Sequence, residues 1–419
     1  MFLANPGGVI MKKITLCIQK IAGLSGGAEK VLVDLANQLW ARGFSVDILS
    51  YEDTGGEPFF YLSPGIVCRN IKPYDDRRRA RAWRNSLEQG SIEFFVNRIV
   101  SVIDRTPYLC RFSWNRRYRR MIDRLQQFID WHAPDVMICF MPGISTYVIA
   151  ARQKSAHKPS VIISNHNVPE ADFESLERWD RNRYDRYLRR LYLRKAEAVT
   201  VLLPEYRDWF TSEEQLNMHV IGNAIVPLKT IPNDNFRDNA FISIGRLTKT
   251  KNHEALIRAF AQIHAKIPSW SVRIFGIGPL RMQLESVIRE LDIEKNVHLL
   301  GRSDQINEEL VLSKVMILPS LHEGFPLVLG ESFAAGVPVI GFSDCSGVNR
   351  LIRDGENGIL VNGEGDRQAS LAQAMEAIAT DDSLRRRLSE GALADAQFGN
   401  YSVDRIFGEW ESLILSVIR

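Results

Sequence analysis

No apolar run in the chain approaches the roughly 18 residues that a membrane-spanning helix needs, which excludes a transmembrane helix. Cysteine is scarce: Cys17, Cys68, Cys110, Cys139 and Cys345 are odd in number, scattered and without metal-ligand spacing. That pattern excludes a disulfide framework and a structural zinc site, and it predicts reduced thiols in a cytoplasmic compartment. Charge of one sign is also in short supply, since a net +3 over 419 residues is too small to imply nucleic acid as a partner. There is no low-complexity segment and no repeat of short period. No Asp-x-Asp pair stands at a strand end, so no metal site is expected. The opening MFLANPGGVI is too short for a signal peptide and lacks its charged start, and Met11, followed by Lys12 and Lys13, is the expected true start.

What is present is a βα alternation, twice over. Residues 12–50 read as strand (KITLCI), glycine-bearing loop (GLSGGAE), apolar-spaced helix and strand (SVDILS), the opening of a Rossmann-like half. PDVMICFM, SVIISNHN and AVTVLL continue it. From Asn239 the pattern restarts with NAFISIG, a helix from Asn252, SVRIFGIG, a helix from Leu280, NVHLLG, a helix near Ile306, and VMILPS. Between the halves, NAIVPLKTIPNDNFRDN is rich in Pro, Asn and Asp and reads as a hinge. The expected organisation is α/β: a Rossmann-like domain over 11–223 carrying a basic aromatic insertion at 75–125, a linker at 224–238, and a second Rossmann-like domain over 239–400. The amphipathic stretch at 401–419 is expected to form a helix that crosses back to the first half.

The chemistry-bearing residues cluster at strand ends. SIGRLTKTKN puts Arg246 and Lys251 between the first strand and first helix of the second half, where exposed N–H groups already favour an anion. A planar fork of donors plus a point charge suits a diphosphate, although a lone Arg–Lys pair is more often solvated surface. In FGIGPL, Gly276 and Gly278 read first as a tight turn; the third glycine and the strand-end acid of a dinucleotide fingerprint are missing. HEGFPLVLGESFAAGVPVI sets Glu323 in a loop and Glu331 in a helix whose first turn takes Pro326 and which Gly336 and Pro338 stop. Both glutamates are expected to face the crevice at the carboxyl ends of the strands.

Together Gly245-Arg246-Leu247, Lys251-Asn252, Gly276-Ile277-Gly278-Pro279 and Glu323-x7-Glu331 resemble the C-terminal half of the retaining glycosyltransferases of family 4. GGAE at Gly26–Glu29 and SNHN at Ser164–Asn167 resemble the glycine-rich loop and histidine site of its N-terminal half. The resemblance spans residues 12 to about 400 and implies the GT-B fold, two Rossmann-like domains facing each other across a deep cleft. It implies an acceptor-binding first domain and a nucleotide-sugar-binding second one. By the same token Arg246 and Lys251 hold the donor diphosphate, Glu331 binds its ribose, and Glu323 lies by the transferred sugar. The backbone of Gly324, Phe325, Pro326 and Leu327 lies near the sugar hydroxyls or phosphate, His166 contacts the sugar, and Gly26, Gly27 and Gly276 admit the donor closely.

The implied activity is transfer of a hexose or N-acetylhexosamine from a nucleotide diphosphate sugar, with uridine diphosphate the family's commonest carrier. The acceptor is a glycan: a lipid-linked oligosaccharide, lipopolysaccharide or another cell-surface polysaccharide. Retention is expected by same-face attack, with no obligatory cofactor or metal. A non-catalytic sugar-nucleotide-binding or partner subunit is one alternative, and a nicotinamide-dependent Rossmann enzyme another; the latter lacks its ribose-binding acid. Pro326 stands where the family usually has glycine, which leaves the sugar selected open.

The segment from Arg77 to Arg124 is the most individual feature of the sequence: thirteen arginines against four acids, interleaved with seven aromatics. That composition suits a surface lying on anionic lipid, and a solvated helical insertion is the plainer alternative. It motivates an expectation of peripheral attachment to the cytoplasmic face of the inner membrane.

Overall fold

The computed structural model describes residues 11–53, 55–72, 103–106, 108–175, 180, 182–228 and 236–418. The chain divides into two compact units, Met1–Ile221 with Phe407–Arg419, and Gly222–Ile406.

The first unit holds a seven-stranded sheet of β1 (Lys13–Ile18), β2 (Ser45–Ser50), β3 (Val67–Asn70), β4 (Val136–Phe140), β5 (Ser160–Ser164), β6 (Ala198–Val201) and β7 (Met218–Val220), ordered β3-β2-β1-β4-β5-β6-β7. Every pairing is parallel. The central strands β4 and β5 are buried along their whole length, as expected when helices cover both faces, and they therefore read as unbroken apolar runs. The helix Gly27–Ala41 buries Leu32, Leu35, Ala36 and Leu39, the stripe that its apolar spacing forecast. Each such buried leucine contributes about 1.5–3 kcal/mol.

The second unit repeats the plan with β8 (Asp238–Ile244), β9 (Ser271–Phe275), β10 (Val297–Gly301), β11 (Ser313–Leu318), β12 (Val339–Phe342) and β13 (Gly358–Val361), ordered β10-β9-β8-β11-β12-β13 and again parallel throughout. Strand order reverses between β1 and β4 in one sheet and between β8 and β11 in the other. Such reversal points, at the carboxyl ends of the strands, are where open α/β sheets bind ligands.

The helix from Leu280 begins at Arg281, and the helix from Asn252 begins at His253, because Asn252 takes a left-handed conformation (φ 53°) as its N-cap. Pro326 is likewise the N-cap of the helix Leu327–Ala334 rather than a residue of its first turn. The closing helix spans Val403–Val417, and its residues from Phe407 belong to the first unit. There Glu411 pairs with Arg42 at 3.3 Å and the Ser160 hydroxyl donates to the Val417 carbonyl at 2.5 Å.

The basic segment is described only from residue 103; its stretch 73–102 lies outside the described residues. The helix Leu109–His132 is anchored by side chains that the composition alone assigned to a surface. Trp114 is buried and its indole N–H donates to Asp185 at 2.7 Å. Arg117 bridges Asp104 at 2.7 Å and Asp180 at 2.8 Å, and the Tyr118 hydroxyl also donates to Asp180. The opposite face carries Tyr108 (91% exposed) and Phe112 (67%), with Arg111, Arg116, Arg119 and Arg120 in solvent.

Candidate active site

At the reversal point of the second sheet, the loops leaving β8 and β11 are tied by a backbone bond from Leu321 N–H to the Thr250 carbonyl at 2.8 Å. That tie sets Lys251 against Glu323: the ammonium donates to Oε1 at 2.5 Å. The same oxygen accepts the hydroxyl of Ser320, fully buried at the end of β11, at 2.6 Å. Behind them the Ser346 hydroxyl donates to the Glu323 carbonyl at 3.2 Å. Gly347, at φ 77°, packs so tightly that a Cβ there would meet the Gly324 carbonyl at 2.7 Å. Sequence reasoning missed Ser320, Ser346 and Gly347, since small residues in loops carry no periodic signal. Cys345 lies in the same loop; burial, then the carboxylates of Glu323 and Asp344, push its thiol up to about 12 and leave it inert.

Arg246 is exposed on the loop after β8, and its guanidinium makes no hydrogen bond or ion pair among the described residues. Lys251 thus spends part of its charge on Glu323 while Arg246 keeps its whole fork of donors. The glycines of FGIGPL have a structural use. Gly276 sits at φ 153°, where a Cβ would lie 1.9 Å from the Gly245 carbonyl oxygen, and one at Gly278 would lie 2.4 Å from that of Leu247. Bonds from Gly245 N–H to Phe275 (2.9 Å) and from Leu247 N–H to Ile277 (3.0 Å) hold the two loops together. The turn after β9 is therefore the floor on which the Arg246 loop rests.

Phe325 is buried with its ring edge-on to Tyr401 at 5.0 Å, so only its backbone is offered to a ligand. Leu327 opens the helix that carries the half-buried Glu331 one turn further on.

In the first unit, Gly26 is the N-cap of the helix Gly27–Ala41 and lies under the Glu29 carboxylate, which would be 2.3 Å from a Cβ at Gly26. Burial raises the Glu29 carboxyl above its ordinary value. The loop before it is held by Glu52, an acid just past β2 that the sequence reading overlooked. Its buried carboxylate accepts the N–H groups of Ile21 at 3.3 Å and Ala22 at 3.4 Å. A strand-end acid so committed is not offered to a dinucleotide ribose.

His166 follows β5. Its ring stacks on Phe140 with centroids 4.7 Å apart and planes 7° from parallel, and Nε2 lies 2.9 Å from the Ser164 hydroxyl. Burial pushes its pKa down to about 4, so the ring is neutral at physiological pH. Its Nδ1 and both amide atoms of the adjacent Asn165 are shielded from solvent without a partner among the described residues.

Two family profiles match the chain: a Glycosyl transferase 4-like domain over residues 26–224 and Glycosyl transferases group 1 over 229–395. An exopolysaccharide phosphotransferase of Streptomyces coelicolor is 34% identical over 414 residues, 94% of this chain, although the chain spans only 40% of that relative's length. An α-1,4-N-acetyl-D-galactosaminyltransferase of Campylobacter jejuni is 27% identical over 409 residues, covering 97% of this chain and 99% of that one. Among solved structures, HepE of Anabaena in complex with UDP superposes with a TM-score of 0.69 at 16% identity, over 96% of this chain and all of that one, a likeness of fold.

Proposed function

The chain belongs to glycosyltransferase family 4, the glycosyltransferases of GT-B fold, and from that premise we propose that it transfers a hexose or N-acetylhexosamine, with retained anomeric configuration, from a uridine diphosphate sugar to a glycan acceptor. The observation that carries this reading is the Lys251–Glu323 pair beside Arg246, which has no partner among the described residues, at the point where the second sheet reverses strand order.

The bond that breaks joins the anomeric carbon to the diphosphate, which leaves with the electron pair. Arg246 and Lys251 match the charge that develops on it, so neither a strong general acid nor a metal is required. The acceptor hydroxyl attacks from the face the diphosphate is leaving, and its proton passes to a phosphate oxygen. Glu323 is held by Lys251 and Ser320 and acts on the sugar hydroxyls, not as a covalent nucleophile. Glu331 accepts hydrogen bonds from the ribose. Gly26 and Gly27 admit the donor closely, the backbone of Gly324 to Leu327 serves the sugar or phosphate over the floor that Gly276 builds, and His166 meets the sugar.

For the acceptor, the relatives' names point to surface glycans. The Campylobacter enzyme acts on a saccharide linked through diphosphate to undecaprenol, and the Streptomyces relative is named for exopolysaccharide. The exposed Tyr108, Phe112 and arginines of the helix Leu109–His132 suit contact with the anionic membrane that bears such an acceptor, on the cytoplasmic face of the inner membrane.

The test is a thermal-shift screen of nucleotide sugars followed by a product assay in which the anomeric configuration is read by NMR. A stabilising nucleotide sugar and a retained product support the reading. Binding without product makes the chain a sugar-nucleotide-binding subunit, an inverted product removes retention, and stabilisation by NADH instead returns the dinucleotide alternative.

A further inference from the structure

Two hydroxyls and an imidazole form a line at the carboxyl ends of β5 and β6. Ser164 and Thr200 are register partners in the parallel pairing of these strands, and both are buried. Thr200 Oγ1 lies 2.9 Å from Ser164 Oγ, which lies 2.9 Å from His166 Nε2. A hydroxyl has one proton to give, so Ser164 donates to Nε2, donates to Thr200, or accepts from both, and the last arrangement leaves its own proton and the Nδ1 lone pair unmatched. If Thr200 donates to Ser164 and Ser164 donates to Nε2, both hydroxyl protons are matched, and the ring proton sits on Nδ1. Run the other way, from Nε2–H through Ser164 to Thr200, the Thr200 proton is buried with no acceptor among the described residues. That direction also strands the Nδ1 lone pair, so it leaves two unmatched groups against one. Buried polar groups are rarely left unmatched, and the first direction is favoured.

We propose that Thr200 and Ser164 are positioning residues that lock His166 in the tautomer protonated on Nδ1, so that the ring is a fixed, neutral wall of the sugar site and not a proton acceptor. The setting of the ring is complete in the protein, since Phe140 fixes its plane by stacking and Ser164 fixes its rotation within that plane. Burial keeps the ring uncharged, in agreement with a ring that gains and loses no proton. This assignment excludes His166 as a general base at Nδ1, because that nitrogen already carries its proton. It rests on the reading that His166 meets the transferred sugar.

The test uses the full chain labelled with 15N-histidine at neutral pH, in which long-range 1H–15N correlations separate a protonated ring nitrogen from a bare one. The signals of His166 among the eight histidines are identified by their loss in His166→Asn. The native ring is expected to be protonated on Nδ1 and bare on Nε2. Ser164→Ala and Thr200→Val are expected to shift it toward a mixture of tautomers, and Thr200→Ser to restore it. Losing one oriented neutral hydrogen bond should raise KM for the nucleotide sugar roughly three- to tenfold in the first two variants. A native ring protonated on Nε2, or on both nitrogens, overturns the relay without needing any variant to fold. A native Nδ1–H ring with unchanged donor kinetics in His166→Asn leaves the relay standing but overturns the sugar contact.

Discussion

Lys251 and Glu323 lie 72 positions apart in sequence and meet at 2.5 Å, because the loops that carry them leave the two strands between which the second sheet reverses its order. Arg246 stands on the same loop as Lys251 with no partner among the described residues. The two cations are therefore not equivalent. Arg246→Ala should weaken nucleoside diphosphate binding by about 1.5–3 kcal/mol, the range for a hydrogen bond to a charged group, with turnover falling in step. Lys251→Ala should weaken it as well and in addition release the Glu323 carboxylate. Calorimetric titration with uridine diphosphate is the measurement, and unchanged affinity in both variants would remove the diphosphate assignment.

Glu331 is assigned to the ribose, so a 2′-deoxyribose donor should bind the native chain more weakly by about 1–3 kcal/mol, since the site's carboxylate loses a partner. In Glu331→Ala the two donors should bind alike. Equal binding of both by the native chain would contradict the role.

Gly276→Ala places a methyl carbon where only 1.9 Å separates it from the Gly245 carbonyl, at a φ of 153° that side chains rarely adopt. The backbone strain alone is of order 1–3 kcal/mol, and the clash adds to it. A lowered Tm together with lost nucleotide affinity is expected, because the floor of the Arg246 loop is displaced. A variant that melts and binds like the native chain would show that the two loops do not depend on each other.

Two buried histidines should cost stability as the pH drops below neutral. Burial holds the rings of His166 and His253 down to about 4, against an ordinary 6.5, and for His253 the nearby Lys251 adds to the effect. In the unfolded chain both rings take a proton as the pH falls through 6.5, while the folded chain does not until about 4. The unfolded state then binds more protons, and each ring removes roughly 1.4 kcal/mol of stability per pH unit within that window. Above the ordinary histidine value the contribution is complete. Urea midpoints for native protein, His166→Asn and His253→Asn between about pH 7 and pH 4.5 test this, and each variant should show a shallower decline than the native chain. Three parallel declines would mean that neither ring is held neutral by the fold.

Membrane contact, if made by the exposed face of the helix Leu109–His132, should be salt-sensitive. Basic residues near an anionic surface contribute about 1 kcal/mol each, and the attraction fades over a Debye length of about 10 Å at 0.1 M salt. Co-sedimentation with anionic and with neutral vesicles at low and high salt is the measurement. A variant with Tyr108, Phe112, Arg116, Arg119 and Arg120 changed to serine should lose anionic binding while melting like the native chain. Arg117 stays unchanged, since its ion pairs to Asp104 and Asp180 hold the helix in place. Native protein that ignores anionic vesicles at low salt would leave this face a solvated surface.

The sequence by itself determined the two βα-alternating halves, because strands such as Val136–Phe140 and Ser160–Ser164 are buried on both faces and have to be unbroken apolar runs. It also placed Arg246, Lys251, Glu323 and Glu331, since strand-to-helix turns announce themselves through glycine, proline and the change of period. Edge strands such as Val67–Asn70 and Met218–Val220 were not legible, being too short to show a period. Only the tertiary structure decided which of these residues touch. Composition made Trp114, Arg117 and Tyr118 part of a basic aromatic surface, and packing turned them inward, because partners such as Asp180 and Asp185 arrive from a distant stretch of chain. The same holds for Ser320, Ser164 and Thr200: a small hydroxyl has no sequence signature, and its role is set by the side chain that another strand brings within hydrogen-bond reach.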